Sequence, residues 1–207
     1  MLERIPALVA ALCLTIYWGA VVVKLVKLAR KIGKDPNALP REWVGIAMRG
    51  LWYPCIAALL TGLWLAAAGV RQPVFLRWLW EPNPLWAIAA AVSMLLCILC
   101  TVVTFICWRK MGRSWRIGID PGEKLDLVST GPYRLVRHPI YALRMVINIC
   151  AFVMAPTLLV LLTAGADFLL LQIEARREEE YMESKHGAVY TNYKNSVGRF
   201  VPRVFVG

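Results

Sequence analysis

Three long uncharged stretches constrain the fold more than any other feature of the chain. They cover residues 5–23, 51–70 and 82–108. At about 1.5 Å per helical residue, each can cross a hydrocarbon core of about 30 Å. Of the 207 residues, 59% are hydrophobic and 18% are charged, and a soluble domain of this length could not bury so much apolar surface. The sequence therefore predicts an all-α integral membrane protein. We expect the first span to be a retained anchor, because residues 18–23 offer no good signal-peptide cleavage site.

A fourth apolar region extends from about residue 138 to residue 174 and contains Pro156. One straight helix over this region would be roughly 55 Å long, which is too long for a single crossing. Two antiparallel helices that turn at 154–157 fit better, because proline is favoured in the first turn of a helix. We therefore predict about five transmembrane helices in a single membrane domain over 1–207. Three spans lie within 1–108, and a loop, a short helical hairpin and a C-terminal helical tail occupy 109–203.

The distribution of Lys and Arg predicts the orientation of these spans. With five spans, the segments 30–42, 108–138 and 174–207 share one side and contain 4, 7 and 6 Lys and Arg residues. The opposite side holds only Arg4, Arg71 and Arg77. Cytoplasmic loops are enriched in Lys and Arg, so we expect the N-terminus outside and the tail in the cytoplasm. The net charge of +11 is thus attributed to membrane loops. No nucleic-acid partner is expected, because the positive charges do not form a stripe on a soluble scaffold.

Metal and nucleotide motifs contribute little to the prediction. The six cysteines all lie in apolar stretches, including Cys97 and Cys100, and we interpret them as small buried hydrophobes. With only two histidines in the chain, no metal site is expected. No GxGxxG motif follows a strand, so a soluble Rossmann-type site is not expected either.

A polar stripe enters the fourth apolar region. Gly131-Pro132 signals a turn, and His138 precedes Pro139, which can begin a helix. The following polar residues are spaced by 4, 3 and 4 positions, and they are Arg137, Tyr141, Arg144 and Asn148. Such residues share one helix face. Ionisable groups at membrane depth usually face a bundle interior or a water-filled cavity.

The predicted hairpin also gives partners for the two arginines. If the chain turns between Ala155 and Pro156, residues whose numbers sum to about 311 lie at equal depth. This register places Arg144 opposite Asp167 and Arg137 opposite Glu174. Such pairs can also serve only to hold a hairpin together, and His138 can serve only as a helix cap, so these alternatives remain open. The run of Glu178, Glu179 and Glu180 can equally be a solvated charged face.

The motif over 131–141, Gly-Pro-Tyr-Arg-Leu-Val-Arg-His-Pro-Ile-Tyr, is followed by further distinctive residues: Glu178-Glu179, His186-Gly187, Tyr190, Tyr193 and Arg199-Phe200-Val201-Pro202. In combination they resemble the isoprenylcysteine carboxyl methyltransferase family, which belongs to a wider group with the phospholipid N-methyltransferases. The resemblance covers roughly residues 111–203. It departs from the family at Glu174, where many relatives carry an arginine suited to a substrate carboxylate.

The resemblance implies an S-adenosylmethionine-dependent enzyme and suggests a role for each matching position. The expected cofactor-binding residues are Leu125, Asp126, Leu127, Val128, Tyr133, His138, Pro139, Ile140, Tyr141 and Glu179. The expected catalytic residues are Glu178, Arg137 and His138. The expected substrate-binding residues are Arg144, Glu174 and Glu178.

These residues lead to three hypotheses on function. The first is carboxyl methylation of an isoprenylcysteine-like substrate that enters from the bilayer. The second is methylation of a phospholipid headgroup or of another small lipophilic acceptor at N, O or S. The third, from another class, is a non-enzymatic membrane scaffold or transporter subunit. Methyl transfer suits the residue types, because carboxylates and aromatic rings attract a positively charged sulfonium.

Overall fold

All regular secondary structure in the part of the chain that the structure describes is helical. The structure is a computed structural model, and it describes residues 4–33, 35–36, 42–119 and 126–203. The six helices are α1 (Ile5–Ile32), α2 (Trp43–Ala68), α3 (Pro84–Met111), α4 (Pro139–Met154), α5 (Leu158–His186) and α6 (Ala188–Ser196). Within these ranges there is no β-strand, only two isolated bridges. The predicted all-α class is confirmed.

Four of the helices, α1, α2, α3 and α5, are long and apolar enough to cross a membrane. Each has 26 to 29 residues, whereas the apolar helix α4 has only 16. Many large apolar side chains on the outside of the bundle are exposed, including Leu85, Ile88 and Leu95 on α3. A bundle with such an exterior is suited to lipid rather than to water. These features support the expected integral membrane protein.

Local signals begin the long helices. Asn83 accepts a hydrogen bond from the backbone N–H of Trp86 (2.9 Å), and Pro84 occupies the first turn of α3. Thr157 accepts in the same way from the N–H of Val160 (3.2 Å) at the start of α5. Both side chains satisfy a donor that the first helical turn leaves free.

The second helix begins earlier than the uncharged stretch 51–70 indicates. It starts at Trp43 and includes Arg49, whose side chain is buried in the bundle. A stretch defined by the absence of charge must begin after Arg49, so it misses the first turns of the helix. The helix continues through this charge because Glu174 on α5 lies 3.6 Å from the guanidinium of Arg49.

The predicted hairpin is confirmed. Helix α4 ends at Met154 and α5 begins at Leu158, so the chain turns over 155–157 as expected. The segment before α3 covers this turn, because the N–H of Leu79 donates to the carbonyl of Pro156 (2.7 Å). The first limb is short, with 16 residues in α4, and the second limb continues into the predicted helical tail. Helix α5 extends to His186, since its apolar half is followed by a charged half that stays helical.

Asp167 connects three helices at the centre of the bundle. Its carboxylate accepts from the Trp52 indole N–H on α2 (2.5 Å), from the Asn148 amide on α4 (2.6 Å) and from the Arg144 guanidinium. The Arg144 guanidinium also lies 4.4 Å from the centre of the Trp18 ring on α1. The predicted pairing of Arg144 with Asp167 is confirmed, and the cluster fixes α1 and α2 against the hairpin.

Replacing Arg144 by leucine tests this cluster. A buried carboxylate without its cation is strongly unfavourable, so we expect Arg144→Leu to lower the free energy of unfolding by about 3–5 kcal/mol. The double variant Arg144→Leu/Asp167→Leu should recover part of that loss. The exposed Arg109→Leu on α3 is the control and should change little. Thermal unfolding in detergent compares the wild type with these three variants. Equal losses in the single and double variants would show that the ion pair does not stabilise the fold.

Candidate active site

A cavity of about 200 Å³ lies where the two ends of the hairpin meet the C-terminal segment. Its wall is strongly aromatic, and the rings come from α1, α2, α6 and the segment between α3 and α4. They include Tyr17, Trp18, Trp52, Trp115, Tyr133 and Tyr190. The charged residues in the wall are Arg49, Arg116, Arg137, Arg144 and Glu178. Both ends of the predicted hairpin therefore contribute to one cavity.

His138 is positioned by a short extended segment before α4. The N–H groups of Arg137 and His138 donate to the carbonyls of Gly198 (2.8 Å) and Arg199 (3.0 Å). These bonds hold the backbone out of the helical conformation until Pro139 begins α4. The His138 ring then stacks on Tyr141, with ring centres 5.4 Å apart and planes 9° apart. The three-residue spacing of a helix face brings the two rings together.

Glu179 fastens the C-terminal segment to the hairpin. Its carboxylate accepts two hydrogen bonds from Arg137 (2.9 and 3.0 Å) and two from Arg199 (2.5 and 2.9 Å). Arg137 also donates to the carbonyls of Lys194 (2.9 Å) and Val197. Glu179 is only 2% exposed and does not line the cavity. We infer that Glu179 holds Arg137 and Arg199 in place next to the cavity, rather than contacting a cofactor as the resemblance implies.

The predicted pairing of Arg137 with Glu174 is wrong. The helical register of the hairpin stops at Pro139, so Arg137 lies on extended backbone and reaches Glu179 instead. Glu174 is 1% exposed, does not line the cavity, and accepts from Arg177 at 2.6 Å. Glu174 was expected to bind substrate, but its side chain is not in the wall of the cavity.

Glu178 is the carboxylate that faces the cavity. One of its oxygens accepts from the Tyr141 hydroxyl (2.5 Å), and the other lies 3.5 Å from Nδ1 of His138. Its side chain is 26% exposed, against 2% for Glu179. The three glutamates of α5 at 174, 178 and 179 thus have different roles, and only Glu178 is open to a ligand.

Most of the predicted site residues meet at this cavity. Those that line it are Leu127, Val128, Tyr133, Arg137, His138, Pro139, Ile140, Tyr141, Arg144 and Glu178. Asp126 is exposed and does not line it, and neither Glu174 nor Glu179 does. Leu125 lies outside the described residues.

The sequence prediction missed the part of the wall that α1 and α2 contribute. Trp18 and Trp52 lie in apolar stretches, where nothing distinguishes an inward tryptophan from one facing lipid. Arg49 lies just before the uncharged stretch 51–70, where an arginine can equally be an interfacial anchor or the edge of a lipid entrance. The usable signal was the arginine itself, because a charge inside a helix of this length indicates a partner or a cavity.

Several buried polar atoms in the described ranges have no hydrogen-bond partner. They are Nε and Nη1 of Arg49, Nε1 of Trp108, the hydroxyl of Tyr133 and Nε2 of His138. Nε2 of His138 is 3.3 Å from Glu179 but is not aligned for a hydrogen bond. All four residues line the cavity. Buried polar groups are almost always paired, so these atoms fit a bound polar ligand. Within the same ranges, no group of three or more His, Cys, Asp or Glu could hold a metal ion.

The surroundings of His138 favour its protonated form. Burial alone would lower the pKa of its imidazole, but interaction with Glu178 and then Glu179 outweighs burial, so the pKa is raised above the usual 6.5. Burial raises the pKa of Tyr133 well above its usual value. At neutral pH the cavity therefore presents an imidazole inclined to carry a proton and a neutral phenol.

Comparison with known proteins places this geometry in a family. Residues 85–184 match the model of the isoprenylcysteine carboxyl methyltransferase (ICMT) family. This segment belongs to that family. The ICMT segment includes α3, α4 and most of α5, and therefore both His138 and Glu178. The match confirms the resemblance found in the sequence and indicates a membrane methyltransferase.

One curated relative is named for a different function. The chain is 27% identical over 158 residues to the nickel-cobalt-cadmium resistance protein NccN of Alcaligenes xylosoxydans xylosoxydans. The match covers 75% of this chain and 64% of the relative. The chain therefore spans somewhat less than two thirds of that relative's length.

Removing the Tyr133 hydroxyl separates binding from folding. The hydroxyl is buried without a partner, so Tyr133→Phe should leave the unfolding temperature unchanged or slightly raise it. If the hydroxyl contacts a ligand, the same variant should weaken ligand binding several-fold. Thermal unfolding and calorimetry with S-adenosylhomocysteine measure the two effects. A variant that loses stability and keeps full affinity would contradict this assignment.

The raised pKa of His138 predicts a pH-dependent stability. A group with a raised pKa in the folded state stabilises the fold fully below its ordinary pKa, and that contribution is lost as pH rises through the raised value. We expect the unfolding temperature to fall as pH rises above about 6.5, and His138→Gln should reduce that fall. The control, His186→Gln, replaces the other histidine of the chain and should leave the slope in place. An unchanged slope in His138→Gln would rule out this origin.

Proposed function

We propose that the cavity binds S-adenosylmethionine and that the chain methylates a lipophilic acceptor. The observation that carries this proposal is the carboxylate of Glu178, which faces the cavity beside the stacked rings of His138 and Tyr141. The ICMT match includes all three residues. A cavity that combines a carboxylate with aromatic rings attracts a positively charged ligand.

The residues around the cavity fit this cofactor. Glu178 and the faces of Tyr141 and Tyr190 would hold its positive charge, while the unpartnered atoms of Tyr133 and His138 would bond to its polar groups. The apolar Leu127 and Val128 offer a wall for its less polar parts. Bound there, the cofactor supplies a methyl group whose bond to sulfur breaks, with the electron pair left on sulfur, as the bond to the acceptor forms.

The protein's part in such a reaction is mainly alignment, which can contribute a large share of the rate enhancement. Tyr141 orients the Glu178 carboxylate by donating to it (2.5 Å). Arg137 acts as a positioning residue, since it binds Glu179 (2.9 Å), whose carboxylate lies beside His138. A carboxylate acceptor is already a nucleophile at neutral pH, whereas an amine would require a base, which Glu178 could provide.

The acceptor we propose first is an isoprenylcysteine-like carboxylate. It is supported by the family match and by two of the four arginines in the wall, Arg49 and Arg144, which suit an anionic group. The acceptor would enter from the bilayer, since the wall also includes residues of α1 and α2. The excess of Lys and Arg in 108–138 and 174–207 supports a cytoplasmic location for the site and the C-terminal segment, with the N-terminus outside.

Calorimetry with S-adenosylmethionine, which carries the positively charged sulfonium, tests the cofactor site in detergent. We expect His138→Ala, Tyr141→Phe and Glu178→Gln each to weaken binding about tenfold or more, because each removes a charged or hydrogen-bonded contact at the cavity. Glu180→Gln is the matched control. It removes an exposed carboxylate two residues from Glu178 and should bind as the wild type does. No binding by the wild type, or full binding by all three site variants, would refute the proposal.

Incubating membranes that contain the protein with a labelled methyl donor identifies the product class. Base-labile label in the lipid fraction supports a methyl ester, and base-stable label supports methylation of a headgroup amine or another acceptor. If no label is transferred and the donor does not bind, the cavity serves a non-enzymatic membrane protein.

A further inference from the structure

The wall of the cavity next to α2 is cationic, in contrast to the acidic and aromatic wall around Glu178. Arg49 on α2 and Arg144 on α4 lie on Trp52, with their guanidinium carbons 5.2 and 5.0 Å from the ring centre. Both arginines are buried, with exposures of 4% and 7%. Arg49 lies outside the segment that matches the ICMT family, so the family match assigns it no role.

The two arginines differ in how fully their charge is neutralised. Arg144 is paired directly with Asp167. Among the described residues, the carboxylate nearest to Arg49 is Glu174, at 3.6 Å. Glu174 is shared with Arg177, which donates to it at 2.6 Å. Arg177 is therefore the closer partner of Glu174. Arg49 keeps only a long contact with it.

Arg49 also has donors that nothing in the described ranges satisfies. Neither its Nε nor its Nη1 has a hydrogen-bond partner, although both atoms are buried. Leaving donors of a buried charged group unpaired is costly. An anionic group in the cavity would satisfy these donors, because guanidinium groups bind carboxylates through charge-assisted hydrogen bonds.

The loop after α3 covers the Arg49–Glu174 pair very closely. Gly118 has a positive φ of 68°, and a Cβ at this position would clash with the Arg49 guanidinium and the Glu174 carboxylate. Both the positive φ and this close approach favour glycine at position 118. This close cover holds Arg49 beside the cavity, which Gly118 also lines.

We propose that Arg49 recognises the carboxylate of a lipophilic acceptor, with Glu174 as the internal group that competes for it. This inference rests on the proposed function, since it names the group of the acceptor that the site selects. Glu174 occupies the position where the resembling family often carries arginine, and Arg49 supplies a cation there from another helix. The unpartnered donors of Arg49 define the end of the cavity at which an acid is preferred over a neutral analogue.

Calorimetry on the full chain in detergent, saturated with S-adenosylhomocysteine, tests this preference. The two probes are S-farnesylcysteine with a free carboxylate and the same molecule as its carboxamide, both N-acetylated. We expect the wild type to bind the acid at least about tenfold more tightly than the amide. Arg49→Met should abolish that preference and leave affinity for the amide within about twofold. Arg49→Lys should keep part of the preference, because it retains the charge but loses the planar donors.

Glu174→Gln should change affinity for the acid in the direction opposite to Arg49→Met. It removes the competing carboxylate while keeping the side-chain shape, so affinity for the acid should rise and affinity for the amide should not. Arg109→Met, which removes an exposed arginine of α3, is the control and should match the wild type. A purely structural role for Arg49 predicts instead that Arg49→Met and Glu174→Gln both weaken binding of the two probes equally.

The outcomes separate this inference from the proposed function. No affinity for S-adenosylhomocysteine would refute the proposed function, and the same two probes, measured then without it, would still decide the role of Arg49. Normal affinity for S-adenosylhomocysteine with equal binding of acid and amide by the wild type would refute the role of Arg49 alone. An acid preference that survives in Arg49→Met would refute it as well.

Discussion

The buried carboxylate of Asp167 is the constraint on which the arrangement of this bundle depends. Hydrocarbon offers no hydrogen bonds, so a charge placed there must find every partner within the protein. Asp167 finds them on α2 and α4, through Trp52, Asn148 and Arg144. Because these donors come from different helices, the pairing fixes α2 and α4 around α5. The cavity wall from α2 is a consequence, since Trp52 both binds Asp167 and lines the cavity.

Four of the six acidic residues of helix α5 have surroundings that give them different tasks. Asp167 organises the interior, and Glu174 is divided between Arg49 and Arg177. Glu179 holds the C-terminal segment through two arginines, which leaves Glu178 alone facing the cavity. The other three are neutralised by neighbouring cations, so a positively charged ligand would meet one carboxylate that is free to bind it. Burial and pairing, rather than residue type, make this distinction.

The sequence predicted those features that follow from local rules. Pro156 located the turn. Counting residues from it paired Arg144 with Asp167 correctly, because both limbs are helical and rise by the same distance per residue. The same count failed for Arg137, since extended backbone before Pro139 has no helical register. Arg49 and the inward tryptophans could not be assigned, because which face of an apolar helix meets a cavity depends on tertiary packing. The motif around His138 identified most of the cavity wall, and burial then separated Glu178 from Glu179.

The backbone pairing of 137–138 with 198–199 has a consequence for biosynthesis. The helices that cross the membrane can be inserted as each emerges from the ribosome, since their apolar stretches are complete by about residue 175. The wall that Tyr190 and Tyr193 provide forms only after residue 199 has been translated and has docked beside His138. A nascent chain is therefore anchored in lipid before its cavity exists. The cavity is therefore complete only when the C-terminal segment has paired with the residues before α4.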